Sequence, residues 1–173
     1  LEATDIDLTT DARPPRVIEI MEDAGLKVQP TGIDHGTVTV IADHLPFEVT
    51  TFRRDIETDG RRAVVHYADT PLEDARRRDF TMNAIYCDRH GALVDPLCGL
   101  PDLKAGRLRF VGEAAQRVQE DYLRILRFFR FTAWYADPER GMDEAGLAAC
   151  AAHAAGLRGI SAERITAELK KLL

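Results

Sequence analysis

The sequence predicts an α+β fold, with a mixed β-sheet and flanking helices over residues 1–112 and an all-helical segment over 113–173. Three observations predict it. The runs Asp5-Ile6-Asp7-Leu8-Thr9, 36–41 and 47–52 alternate or are rich in β-branched residues, as strands are. Helix starts at Pro14-Pro15 and Thr70-Pro71 are interleaved with them. From Glu113 onward the apolar spacing turns to three and four, with Val118, Tyr122, Ile125, Phe129 and Ala133 on one stripe.

The first strand is followed by a helix with Val17, Ile20, Met21 and Ala24 on one face, stopped by Gly25. The runs 36–41 and 47–52 form a hairpin with a five-residue connection, 42–46. Residues 53–69 hold Asp59-Gly60 among many charges and read as a mobile loop with a short strand near Val64-Val65. Thr70, Pro71 and Glu73 have the form of a capping box, and the helix they open is expected to run through Ile85. A second hairpin joins 86–88 to 92–95, a short helix covers 102–106, and a last strand covers 107–111. A helix capped by Ser161 runs to the end of the sequence. The sequence begins with Leu1 and ends within a helical pattern, so it reads as a piece of a longer protein.

No apolar run reaches spanning length and no signal-peptide pattern opens the sequence. Cys87, Cys98 and Cys150 have no paired spacing, which fits a reducing, cytoplasmic setting and neither a disulfide framework nor a zinc site. The net charge of −6 argues against a dedicated nucleic-acid clamp. It is uneven: residues 1–70 carry 7 Arg and Lys against 14 Asp and Glu, and the remainder 16 against 15. The acidic half suits metal-binding carboxylates and the arginine-rich half suits phosphates. Nothing in the sequence sets an oligomeric state.

Asp5 and Asp7 lie two apart on a strand, so both carboxylates share a face, about 6.5–7 Å apart along the backbone. Hard oxygen ligands at that spacing suit Mg²⁺ together with a phosphate. Two solvent-facing acids fit the same pattern. Glu48, the acid within an apolar and Thr-rich strand, is either on the wet face or a third ligand. Arg76, Asp79, Phe80 and Asn83 recur at helical spacing on the helix that Thr70-Pro71 opens, which holds the segment Arg77-Arg78-Asp79-Phe80-Thr81-Met82-Asn83-Ala84. Such a face can grip a sugar and phosphates, and it also fits a solvated face anchored by Phe80. Glu120-Asp121-Tyr122-Leu123-Arg124 opens a long helix. Its acids and Arg124 make an intrahelical ion pair, or Asp121 and Arg124 point together into a cleft and read a nucleobase edge. Arg127 and Arg130 extend the basic row. The turn Thr31-Gly32-Ile33-Asp34-His35-Gly36-Thr37 can carry backbone to a ligand or simply be a turn, and His35 reads as structural.

Seven blocks, in order, carry a resemblance: Asp5-Ile6-Asp7-Leu8, Pro30-Thr31-Gly32-Ile33-Asp34-His35-Gly36-Thr37-Val38, Glu48-Val49-Thr50-Thr51-Phe52-Arg53, residues 77–84, Asp95-Pro96 with Gly99, Arg109-Phe110-Val111-Gly112, and residues 120–124 continued through Arg127 to Phe131. Together the sequence resembles the class II template-independent nucleotidyltransferases, which comprise CCA-adding tRNA nucleotidyltransferases and bacterial poly(A) polymerases. The resemblance implies a nucleotidyltransferase (polymerase-beta-like) head over 1–112 and a helical neck over 113–173. It implies that Asp5 and Asp7 hold Mg²⁺ and, with Glu48, form the catalytic set. It implies that Arg78, Asp79 and Asn83 hold the ribose and triphosphate, and that Asp121 and Arg124, with Arg127 beside them, select CTP and then ATP. The block Ile160-Ser161-Ala162-Glu163-Arg164 resembles the one that steadies the neck. The implied partner is RNA, a tRNA 3′ end, with no membrane. The family's Gly-Gly turn before Val-Arg-Asp is not in this sequence. The block 120–124 resembles the CCA-adding form more than the poly(A) polymerases, which tend to carry Pro there. A non-catalytic nucleotide- or RNA-binding module is the reading from another class.

Overall fold

The computed structural model describes residues 6–54 and 66–172. They fall into two compact units, Leu1–Arg77 and Arg78–Leu173.

The first unit is built on β1 (Asp7–Thr10), α1 (Pro14–Asp23), β2 (Lys27–Gln29), β3 (Thr37–Ala42) and β4 (Leu45–Thr51). The sheet order is β1-β4-β3-β2, with β1 parallel to β4 and the other pairs antiparallel. Alternation gives this sheet two unlike faces. Val38, Val40 and Val49 are buried with Val17 of α1, and Met21 packs beside them. Thr37, Thr39, Glu48 and Thr50 alternate with those valines and so lie on the other face.

The β3–β4 hairpin is tighter than the sequence suggests. Ala42 pairs with Leu45 and Ile41 with Pro46, so only Asp43 and His44 form the turn. Their φ angles of 48° and 67° are both left-handed, as a two-residue type I′ turn requires. Pro46 is tolerated in the strand because β1 pairs only from Glu48 onward. Strand β2 has no sequence signature, since it is three residues long and only Val28 is even half-buried. Strands β5 (Arg53–Arg54) and β6 (His66–Tyr67) form a small antiparallel pair. The expected turn at Asp59-Gly60 and strand at Val64-Val65 lie outside the described residues.

Helix α2 (Pro71–Arg76) begins as its capping box predicts. The Thr70 hydroxyl accepts the Glu73 N–H at 3.3 Å, and the Glu73 carboxylate accepts from the Thr70 hydroxyl at 3.0 Å and the Asp69 N–H at 3.3 Å. Those bonds, the Thr70 hydroxyl foremost, hold the Glu73 carboxyl below its ordinary pKa. The helix ends at Arg76 and does not reach Ile85. Phe80 is extended, at φ −120° and ψ 149°, and makes an antiparallel bridge to Phe110. The Thr81 N–H donates to the Arg109 carbonyl and the Val111 N–H to the Asp79 carbonyl, at 3.0 and 2.9 Å. Backbone pairing to a distant segment therefore overrides the helical spacing, and a single 3₁₀ turn over Thr81–Ala84 replaces the expected last turns. The strand expected over 107–111 shrinks to that one bridge.

The second unit continues with the hairpin β7 (Tyr86–Cys87) and β8 (Leu93–Val94), then α3 (Gly99–Lys104), α4 (Ala114–Glu120), α5 (Leu123–Tyr135), α6 (Glu144–His153) and α7 (Ala162–Leu172). The helix expected through 120–124 breaks there: Asp121 has φ −154° and ψ 105°, and its carboxylate accepts the Leu123 N–H at 3.1 Å. An Asp that bonds the backbone two residues on starts a new helix. The break moves the apolar face, so that Val118, Ile125 and Phe128 are buried while Phe129 is partly exposed. Phe80, Phe110 and Phe128 form the centre of this core, with Phe110 stacked on Phe128 at 5.4 Å and Phe80 tilted on Phe110 at 4.9 Å.

Beneath this core Asp102 is fully buried and accepts from the Thr81 hydroxyl at 2.7 Å, from Arg109 at 2.8 Å, and from Arg107. Burial pushes its carboxyl pKa up, but the bonds from Thr81, Arg109 and Arg107 together outweigh burial and hold it below the ordinary value. In acid the unfolded chain therefore binds a proton that the native chain does not. The stabilisation is complete above the ordinary carboxylate pKa and is lost as pH falls from there through the lowered value. Asp102→Asn should flatten this acid limb, read from thermal midpoints across pH. Gly99 approaches the Thr81 backbone so closely that a Cβ would sit 2.0 Å from the Thr81 oxygen. Gly99→Ala is expected to cost about 3 kcal/mol or more by urea unfolding.

Candidate functional site

In the first unit, Asp7 and Glu48 are register partners across the parallel β1–β4 pair. Paired residues on adjacent strands project to the same face, with strands about 4.8 Å apart. Both side chains are solvent-exposed, and among the described residues neither is taken up by an ion pair. The wet-face alternative and the ligand alternative for Glu48 thus describe one position: an exposed carboxylate beside Asp7. Asp5 lies outside the described residues, and among those described no group of three His, Cys, Asp or Glu gathers for a metal. Two hard carboxylates on one open face do fit a divalent cation such as Mg²⁺.

Gly32 and Gly36, at φ 87° and 79°, flank a 3₁₀ turn over Ile33–His35. Gly36 faces the Tyr67 ring, and its carbonyl accepts the Thr51 N–H at 2.9 Å, which ties the turn to the end of β4. The His35 carbonyl accepts from Arg53 at 2.9 Å.

In the second unit, Asp79 is 7% exposed and both its oxygens are engaged. One accepts the Phe80 N–H and the Asn83 amide, each at 2.9 Å. The other accepts from Arg127 Nε at 2.6 Å. The structure thus brings together Asp79, Asn83 and Arg127, which the sequence placed in two separate blocks. It adds a residue that sequence reasoning missed. Glu168 of α7, 5% exposed, accepts from Arg130 Nε at 2.7 Å and lies 3.5 Å from Arg127 Nη1. The signal was present: Glu168 falls three residues after Ile165 and four before Leu172, a carboxylate in the apolar stripe of its helix. Arg78 lies over the Tyr86 ring at 5.6 Å.

Asp121 and Arg124 have different partners. Arg124 donates to the Arg117 carbonyl at 2.9 Å and to Glu120 at 2.5 Å. Asp121 accepts from Arg164 at 2.7 Å. The intrahelical pair expected here is the Glu120–Arg124 one, which closes across the break between α4 and α5.

A mixed sheet bearing paired carboxylates on its open face is thus followed by helices braced by arginine–carboxylate pairs. The chain belongs to the poly A polymerase head domain family, whose model matches residues 1–109. It is 46% identical over 170 residues to "CCA tRNA nucleotidyltransferase 1, mitochondrial" of Mus musculus, covering 98% of this chain and 39% of that protein. The structure of the Bacillus stearothermophilus CCA-adding enzyme in complex with CTP superposes with a TM-score of 0.85 at 36% identity, over 99% of this chain and 40% of that one. A tRNA nucleotidyltransferase complexed with a primer tRNA and an incoming ATP analog matches with a TM-score of 0.73 at 26% identity, over 98% of this chain and 47% of that one. The chain thus spans about two-fifths of the length of the curated relative. Among the described residues no helix is long and apolar enough to cross a membrane.

Removing Asp79 takes the acceptor from the Phe80 N–H and the Asn83 amide and leaves Arg127 with Glu168 alone. Asp79→Ala is therefore expected to destabilise by about 2–3 kcal/mol, measured by urea unfolding. Asp7→Ala, on the exposed face, should leave the unfolding midpoint nearly unchanged.

Proposed function

We propose that this chain is the head, over 1–112, and part of the neck, over 113–173, of an enzyme that adds CCA to tRNA 3′ ends by transferring nucleotides from CTP and ATP. The observation that carries the reading is the in-register pair Asp7–Glu48 on the open face of the sheet. A binding module has no need of two adjacent exposed carboxylates there. The similarity to proteins named as CCA-adding enzymes supports tRNA as the acceptor. The family description also covers poly(A) polymerases, so A-tailing of RNA is the second reading.

In this reading the 3′-hydroxyl of RNA attacks the α-phosphate of a nucleoside triphosphate and pyrophosphate leaves. Asp5, Asp7 and Glu48 hold Mg²⁺, which when bound activates the hydroxyl and neutralises charge on the phosphoryl group. The chain's other residues position the reactants. Asn83 is oriented by Asp79, and Arg78 offers a fork to phosphate. Arg127 donates its Nε–H to Asp79, lies within ion-pair distance of Glu168, and has a guanidinium with five donors to offer the nucleotide. Asp121 and Arg124 read the base edge. The free thiols of Cys87, Cys98 and Cys150 are in keeping with a cytoplasmic protein.

The test offers the full-length protein tRNA ending before CCA, tRNA ending in CC, and an unstructured RNA, with single nucleotides and Mg²⁺. Ordered addition of C, C and A that then stops is the expected result. Long A tails on any RNA would replace it with the polyadenylating reading. Asp7→Ala is expected to abolish incorporation with little change in nucleotide affinity, and retained incorporation would remove the carboxylates from the chemistry.

A further inference from the structure

Asp121 is held from two directions. Its Oδ1 accepts the Leu123 N–H at 3.1 Å and its Oδ2 accepts from Arg164 Nη2 at 2.7 Å. The first bond belongs to the start of α5, so it fixes the carboxylate to the backbone. The second comes from 43 residues away, on the first turn of α7, where the Ser161 hydroxyl accepts the Arg164 N–H at 3.4 Å. Together the two bonds leave the carboxylate plane little freedom. A carboxylate with one bond can turn about its χ angles and present either oxygen.

We propose that Arg164 is a specificity-determining positioning residue: it locks the orientation of Asp121, so that only nucleotides with a donor at the matching place on the base edge are accepted. The inference rests on the reading of Asp121 as a base selector given under Proposed function. The relevant chemistry is that of nucleobases. Cytosine and adenine each present an exocyclic amino group at corresponding positions, where uracil presents a carbonyl oxygen. A fixed carboxylate accepts from the amino group and repels the carbonyl. A carboxylate that swings loses this contrast, because it can turn away from the carbonyl and reach other donors.

A purely structural role is a poor fit. The Arg164 and Asp121 side chains are 51% and 32% exposed. A pair this wet adds little to stability, since water competes for both groups and salt screens them. Glu168, one helical turn on along α7, is the contrasting case: it is buried between Arg127 and Arg130, and its loss should be felt by the fold. Two residues four apart on α7 therefore reach the preceding segments for different ends, Glu168 to hold α5 and Arg164 to aim Asp121.

The experiment measures kcat/KM of the full-length protein for CTP, ATP, UTP and GTP on an RNA acceptor, in the wild type, Arg164→Ala and Asp121→Ala, with thermal unfolding of each. For Arg164→Ala the expected result is a roughly two- to fivefold loss of discrimination for CTP over UTP, the size that losing one exposed orienting ion pair implies, at an unchanged unfolding midpoint. An equal fall for all four nucleotides, or unchanged selectivity, would overturn the role of Arg164. If Asp121→Ala abolishes discrimination while Arg164→Ala does not, the base-selector reading stands and this proposal fails. If Asp121→Ala itself leaves discrimination intact, both fall.

Discussion

The buried carboxylate of Asp79 is the constraint on which the helical unit depends. A carboxylate this far from water must be met on both oxygens, or burying it costs several kcal/mol. The Phe80 N–H and the Asn83 amide meet one oxygen, and Arg127 meets the other. Each partner fixes something further. Bonding the Phe80 N–H holds Phe80 extended, so its backbone bridges to Phe110 and its ring enters the aromatic core. Bonding Arg127 sets the rotation of α5, which carries Phe128 into the same core. Arg127 in turn approaches Glu168, and α7 is held as well. One carboxyl side chain thus reaches three segments that are far apart in sequence.

The sheet of the first unit follows a different logic, that of register. Its valines and its carboxylates occupy alternate positions on the same strands. The alternation that buries Val49 exposes Glu48, and the parallel register that pairs Leu8 with Val49 pairs Asp7 with Glu48. A slip of one residue would turn Glu48 into the apolar layer and Val49 to water. The type I′ turn at Asp43-His44 sets the antiparallel register and so helps fix where Glu48 stands. The position of the two carboxylates is therefore secured by packing on the opposite face and by the turn.

What was legible in the sequence was local. The capping box at Thr70 and the strand alternation depend on neighbours two to four residues away, or on a hairpin partner, whereas the parallel pairing that sets Asp7 beside Glu48 joins residues 41 apart and has no local signature. Misreadings arose where a distant partner outweighs a local preference. The spacing of Arg76, Asp79, Phe80 and Asn83 fits a helix, yet Asp79 and Asn83 meet across a 3₁₀ turn because Phe80 is pulled into a bridge with Phe110. A competing local bond can mislead as well: the apolar stripe from Val118 fits one helix, yet Asp121 divides it by bonding the Leu123 N–H. Glu168 was passed over because its partners lie 38 and 41 residues earlier, at Arg130 and Arg127. Its place in an apolar stripe called for a buried arginine, but the stripe cannot name which one.

The arginine-rich half suits phosphates by its composition, and several of its arginines are held by carboxylates. Arg107 and Arg109 bond Asp102, Arg117 and Arg124 bond Glu120, and Arg127 and Arg130 meet Glu168. Pairing weakens the long-range field of each cation, in line with a net charge of −6 and unlike a clamp that gathers nucleic acid by diffuse attraction. It does not exhaust the guanidinium, which has five donors in a rigid fork and is committed by a carboxylate to one direction. Steering a polyanion requires potential, whereas telling one neutral base edge from another requires donors and acceptors that do not turn. Arginines fixed by acids supply the second at the expense of the first. A charge arrangement of this kind favours contacts set by orientation over long-range attraction.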